Sequence, residues 1–173
     1  KPSPGWKMEC YADVFRFPWL KYNVHAPSAG KDFFIQFTHT PAKGIEHYLR
    51  FRAQAIERNF SSFSEVRTVL TRYTLRCHLA LTVNKLLLLR QRSEMLWYDP
   101  GGTAAEAGYA VFVEALLRPK MKPWSLSVRI QYYQTEGYNS RIYAYEQDLP
   151  YNYGIPAVYG SGYRWNVVTD YDL

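Results

Sequence analysis

The side chains able to do chemistry are few and poorly spaced for it. His25, His39, His47 and His78 are scattered with no His-x-x-x-His spacing, so no pair is set on one helical turn to hold a metal. Cys10 and Cys77 can make at most one bridge and fit no metal or redox motif. Glu9 and Asp13 would share a strand, but four residues of strand separate them by about 13 Å, beyond even the carboxylate spacing of an inverting glycosidase. No Gly-x-Ser-x-Gly nucleophile turn occurs, and Gly101-Gly102 and Gly160-Ser-Gly162 lack the lysine and strand-to-helix setting of a phosphate loop. Asn59-Phe-Ser61 fits a glycosylation sequon, a match common by chance. A non-enzymatic chain using no metal and no cofactor is expected.

What remains is charge and its placement. The 173 residues carry 21 Lys/Arg and 15 Asp/Glu, a net +6. Residues 1–92 hold 15 basic and 6 acidic side chains, and residues 93–173 hold 6 and 9, so the basicity belongs to the first half. This is one domain's worth of chain, a single region spanning 1–173. At 47% hydrophobic and 17% aromatic, with 16 tyrosines, it is too aromatic for disorder and too irregular for a coiled coil or collagen. The longest uncharged run, Leu149 to Tyr163, is broken by Pro150, Gly154, Pro156 and Gly160, which excludes a transmembrane helix but not a transmembrane barrel. The chain opens at Lys1 with neither an initiator methionine nor a basic-then-apolar leader, and is expected to be part of something longer.

The elements that must carry these charges read as strands. Trp124, Leu126, Val128, Ile130 and Tyr132 alternate with Ser125, Ser127, Arg129, Gln131 and Tyr133. Leu75, Cys77, Leu79, Leu81 and Val83 alternate with Arg76 and His78, turn near Asn84-Lys85, and continue as Leu87 and Leu89 against Arg90, Arg92 and Glu94. Tyr109, Val111, Val113, Ala115 and Leu117 oppose Phe112, Glu114 and Arg118 before a turn over 119–123. Phe33, Ile35 and Phe37 lead through a 40–44 turn into Leu49, Phe51 and Ala53 against Tyr48, Arg50 and Arg52, and a last strand starts at Tyr163. Ile45, Leu49, Arg52 and Ile56 also fit a helical period, and Ser62-Phe-Ser-Glu65 resembles a capping box, although the threonines and valines of 66–74 favour a strand. Loops are expected over 19–31, 57–64, 99–107 and 145–162, with Asp99-Pro-Gly-Gly102 the strongest turn signal.

Alternation of this kind serves a soluble sandwich, with apolar faces meeting inside, or an outer-membrane barrel, with apolar faces meeting lipid. Periodicity alone does not separate them. Runs near the roughly 9–11 residues of a membrane-crossing strand, aromatics at run ends such as Trp97, and arginines at alternate positions tilt toward a barrel. On that reading Arg50, Arg52, Arg76, Arg90, Arg92, Glu94, Glu114 and Arg129 face the lumen. Leu79, Leu81, Val111, Val113, Val128 and Ile130, with the belt aromatics Trp124 and Tyr132, face lipid.

Several stretches together resemble the C-terminal region of the large Bacteroidetes helix-hairpin-helix proteins. They are Tyr11-Ala-Asp-Val-Phe-Arg-Phe-Pro-Trp-Leu20, His25-Ala-Pro-Ser28, and above all Tyr138-Asn-Ser-Arg-Ile-Tyr-Ala-Tyr-Glu146 with Ile155-Pro-Ala-Val-Tyr-Gly160. The motif residues are Tyr138, Ser140, Arg141, Tyr143, Tyr145, Glu146, Pro156 and Gly160. Asn139, Val158 and Ser161 depart from the family's Asp, Tyr and Lys. The resemblance implies an outer-membrane β-barrel region of a longer protein, with helical modules upstream that carry the family's DNA-binding label, and with closing strands beyond Leu173. It also implies that Arg141, Tyr143 and Tyr145 share a strand face and that 149–160 forms an ordered loop or plug edge.

An all-β antiparallel fold of about eight to ten strands is therefore expected. The expected role is a conduit or scaffold in the bacterial outer membrane, in contact with lipid and with other outer-membrane or periplasmic proteins. The alternative is a soluble β-sandwich or small barrel binding nucleic acid or another polyanion through residues 1–92. Nucleic acid is disfavoured because stacking aromatics and arginines should share a face, whereas Phe51 lies opposite Arg50 and Arg52.

Overall fold

The computed structural model describes residues 5–20, 24–59, 67–101, 104–120, 122–144 and 155–171. The strands are β1 (Trp6–Phe17), β2 (Ser28–Ala42), β3 (Ile45–Asn59), β4 (Arg67–Thr82), β5 (Leu87–Asp99), β6 (Glu106–Leu117), β7 (Trp124–Thr135), β8 (Ile142–Tyr143), β9 (Ala157–Val158) and β10 (Ser161–Tyr171). Among the described residues there is no helix. Eight strands form one antiparallel sheet in the order β1-β2-β3-β4-β5-β6-β7-β10, and β8 pairs with β9 as a separate two-stranded element. The all-β antiparallel class expected from the alternation is the fold. The sheet is open, with β1 and β10 at its edges, and it does not pair into the two layers of a sandwich.

The strands run longer than the apolar alternation alone suggests. Ser28–Lys31 and Glu57–Asn59, expected in loops, are paired strand: Phe17 lies opposite Ser28, and Asn59 opposite Arg67. A Ser-Ala-Gly-Lys stretch shows no apolar period, so only backbone pairing reveals it as strand. The helical period over Ile45–Ile56 yields to strand pairing on both sides of β3. Residues 67–74 are strand as their χ1-stiff side chains favour; the capping-box residues 62–65 lie outside the described residues. The loop expected over 145–162 contains β9 and ends where β10 begins, and its residues 145–154 are outside the described residues.

The two ends of the sheet differ. At one end the strands join through tight connections. Gly44 takes φ 88° between β2 and β3, a region open to glycine, and Asn84 Oδ1 accepts the N–H groups of Leu86 and Leu87 at 2.8 and 2.9 Å between β4 and β5. The other end carries the longer connections, of which 136–160 between β7 and β10 is the longest.

Pairing register sorts every strand into two faces. One face, here the inner one, holds the buried polar groups Gln36, His78, Glu94, Glu114, Ser127, Arg129 and Gln131. The other leaves Met8, Phe37, Leu49, Leu79, Met95, Val113, Ile130 and Trp165 exposed. The apolar core is small and lies on the inner face near the long-loop end, where Leu70, Leu96, Tyr98 and Ala110 pack against Ile142 and Val158 of the β8–β9 element.

Candidate functional site

The inner face is an ionic lattice built by strand parity. Arg50 and Arg52 come from β3, Arg76 from β4, Arg90, Arg92 and Glu94 from β5, Glu114 from β6 and Arg129 from β7. The register brings all eight to this face, seven of them in three adjoining rows and Arg52 in the next, opposite Phe34 and Thr74. Arg50 lies opposite Arg76, and Arg76 opposite Glu94. His78 is opposite Arg92, and Arg92 opposite Phe112. Arg90 is opposite Glu114, and Glu114 opposite Arg129.

The contacts follow from those rows. Arg76 Nε donates to Glu94 at 2.8 Å. Glu114, 1% exposed, accepts from Arg129 at 2.9 Å, from Arg90 at 3.3 Å and from the Ser127 hydroxyl at 3.4 Å. Arg52 forms a two-pronged pair with Asp32, at 3.0 and 2.5 Å. Arg50 donates to the Gln36 amide oxygen at 2.8 Å, and its guanidinium stands 5.3 Å from the ring centres of both Phe34 and Tyr48. Arg92 and Arg129 both lie over the Phe112 ring. In the middle row, His78 Nδ1, Arg92 Nε and both amide atoms of Gln131 are buried without a hydrogen-bonding partner among the described residues. Buried polar atoms of this kind need water or a ligand.

The outer face is the complement. Leu79, Leu81, Val111, Val113, Trp124, Val128, Ile130 and Tyr132 all fall on it by register. No Asp, Glu, Lys or Arg stands on this face, among the described residues, between the short turns and a margin formed by Arg16, Lys31, Glu57, Arg67 and Asp99. Aromatics pair toward both margins: Tyr73 lies opposite Trp97, and Trp124 opposite Tyr171.

A third part covers one end of the inner face. The chain leaves β7 at Thr135 and returns at Gly160, and Thr135 holds both ends: its hydroxyl accepts from Gly160 N at 2.8 Å and donates to Gly137 O at 3.2 Å. Glu106 of β6 accepts from Asn139 Nδ2 at 2.9 Å and Ser140 N at 3.2 Å. Arg141 donates to the Tyr143 hydroxyl at 2.7 Å and to Tyr138 O at 2.9 Å and stacks on the Tyr138 ring at 4.2 Å. The Tyr143 hydroxyl raises the Arg141 guanidinium above its ordinary value. Ser140 is fully buried, and Tyr138 meets Tyr159 edge-on. Both halves of the motif string thus come together, Ile142–Tyr143 pairing with Ala157–Val158, while Pro156 is half-buried beside β9 and Gly160 takes φ 78°. Arg141 precedes the two-residue strand rather than lying on a longer strand face with Tyr143. Tyr145 and Glu146 are outside the described residues.

Arg72 and Asp32 join the inner face beyond the residues expected there from the sequence. Arg72 shares parity with Arg76 on β4 and was hidden by the competing helical pattern; Asp32 sat at the edge of an expected loop. The chain also makes one pairing that linear spacing conceals: His39 Nδ1 and His47 Nε2 are 3.2 Å apart across β2 and β3 on the outer face, with Trp6 stacked on His39. Among the described residues no three His, Cys, Asp or Glu side chains gather as a metal site. The separation of aromatics from arginines expected at Phe51 does not hold across the sheet. Phe51 does lie outward, but Phe34, Tyr48 and Phe112 share the inner face with the arginines.

No protein-family model, curated protein or solved structure matches this chain.

Proposed function

We propose that this chain is a membrane-spanning β-wall of the bacterial outer membrane, a non-enzymatic component whose outer face meets lipid and whose inner face meets water. One observation carries this reading: polar and charged side chains are buried on one face while large apolar ones are exposed on the other. A soluble protein sorts the opposite way, and a contiguous apolar face of this extent is not tolerated in water. The strands are long enough. Leu87 to Trp97 of β5 covers roughly 34 Å at the usual rise, or about 24 Å of depth at a tilt near 45°, the height of the apolar band of outer-membrane barrels. Short turns at one end and long connections at the other follow the same architecture. The described parts of the excursion lie on the inner face, with Ile142 and Val158 packed on the core and Ser140 held by Glu106, which favours a constricted wall or scaffold, working with other outer-membrane or periplasmic proteins, over a wide open pore.

Fractionation of the native protein, followed by gel migration with and without boiling, tests the proposal. Extraction only by detergent and a heat-shifted band are expected; a freely soluble protein without a shift would overturn it. Conductance separates conduit from scaffold. Arg90→Glu with Arg92→Glu should change ion selectivity in a planar bilayer if the inner face lines a conduit, and no conductance in either form supports a scaffold. The second reading, a soluble polyanion-binding sheet, draws on the Arg50 guanidinium set between Phe34 and Tyr48. It requires nucleic-acid affinity that falls steeply with salt.

A further inference from the structure

We propose that the inner face holds a site for a small phosphate-bearing anion, in the pocket where Arg50, Arg52, Arg72 and Arg76 converge beneath Tyr143. The inference rests on the reading that this face borders water rather than lipid. The pocket has a volume of about 340 Å³, in the size range of small-molecule sites. β3 supplies Arg50 and Arg52, and β4 supplies Arg72 and Arg76 with Thr74 between them.

Charge balance identifies the ligand class. Arg50 and Arg76 are direct cross-strand partners, a juxtaposition of like charges that weakens a sheet unless something negative lies between them. The protein's own carboxylates answer two of the four: Asp32 pairs with Arg52 at 2.5 Å and Glu94 with Arg76 at 2.8 Å. Arg50 has the neutral Gln36 amide and two ring faces, and Arg72 has the Arg141 carbonyl at 3.4 Å. Neither pairs with a carboxylate among the described residues. Two guanidiniums with no carboxylate partner among the described residues match a dianion, and their planar forks suit phosphate oxygens. Tyr143, fixed by Arg141, adds a hydroxyl at the rim, and the stacked rings of Tyr11 and Phe34, 5.1 Å apart, give an apolar wall for the body of an ester.

The test is calorimetric titration of the full chain, folded in detergent micelles, with inorganic phosphate and separately with ribose 5-phosphate. Saturable binding that weakens with added sodium chloride is expected, and the tighter of the two probes tells free from esterified phosphate. Arg50→Gln with Arg72→Gln should lower affinity about tenfold or more, while Lys43→Gln with Arg118→Gln, the same charge removed at the short turns, should leave it unchanged. Thr74→Glu places a carboxylate among the four guanidiniums, so it should abolish binding and raise the unfolding midpoint. Absence of saturable binding by a chain that keeps its heat shift would overturn the site, as would an equal loss in the control variant. Binding by a chain that needs no detergent would keep the site and discard the membrane reading.

Discussion

At the scale of single residues, Glu114 is the point on which the lattice depends. Among the described residues it is the one carboxylate shared by two arginines, and it is enclosed on the inner face. Taking one partner from a buried ionic group leaves the others desolvated and unanswered, which costs about 3–5 kcal/mol. Glu114→Gln should therefore lower unfolding stability by that order in a urea titration, whereas Lys7→Ala, which breaks the exposed Lys7–Glu9 pair, should cost under about 1 kcal/mol. A Glu114 variant as stable as the parent would mean that water reaches these guanidiniums freely. The lattice was legible in sequence where charges repeat at every second position, as in Arg90, Arg92 and Glu94, because a period of two is a face. It was not legible at Arg72 or Asp32. There the same parity runs through residues whose local pattern also fits a helix or a loop, and only pairing with neighbouring strands removes the ambiguity.

Among the elements, the excursion between β7 and β10 decides what the inner face can admit. Its seat is Gly108 on β6: a Cβ there would run into the carbonyl oxygen of Ser140, a backbone atom with no rotamer to yield. Gly108→Val should lift the segment off β6 and break the Glu106 contacts to Asn139 and Ser140, without disturbing the pairing of Gly108 with Leu96 and Thr135. Limited proteolysis should then cut within 136–160 while the sheet keeps its heat-shifted migration. Equal protection in both forms would mean that the excursion is held by something other than this close approach. Its existence was foreshadowed by the string Tyr138–Glu146 and the Pro-containing run after it, but its course was not. Two-residue strands such as β8 and β9 leave no period to read, and the carboxylate that anchors them, Glu106, lies some thirty positions earlier in the chain.

For the whole molecule, the two faces are sorted with polar groups enclosed on one and large apolar ones exposed on the other. The even number of strands leaves β1 and β10 antiparallel, so the open edges can pair with each other or with further strands; unpaired edges of this length otherwise invite aggregation. The lipid-facing assignment makes a demand that no soluble sheet would make. Val113 is 54% exposed on the outer face, with Gln91 and Ile130 opposite it and no charge nearby on that face. In water, replacing so exposed a valine changes stability by about 0.5 kcal/mol at most, and a charge there would improve solubility. At the midplane of a bilayer, arginine on a lipid-facing strand costs about 2–4 kcal/mol. Val113→Arg should therefore impair folding into phosphatidylcholine vesicles by that amount, while Val69→Arg, opposite Glu57 at the charged margin beside the long connections, should have little effect. If the two substitutions prove equally harmless, the outer face does not meet lipid, and its apolar surface must be covered by protein instead.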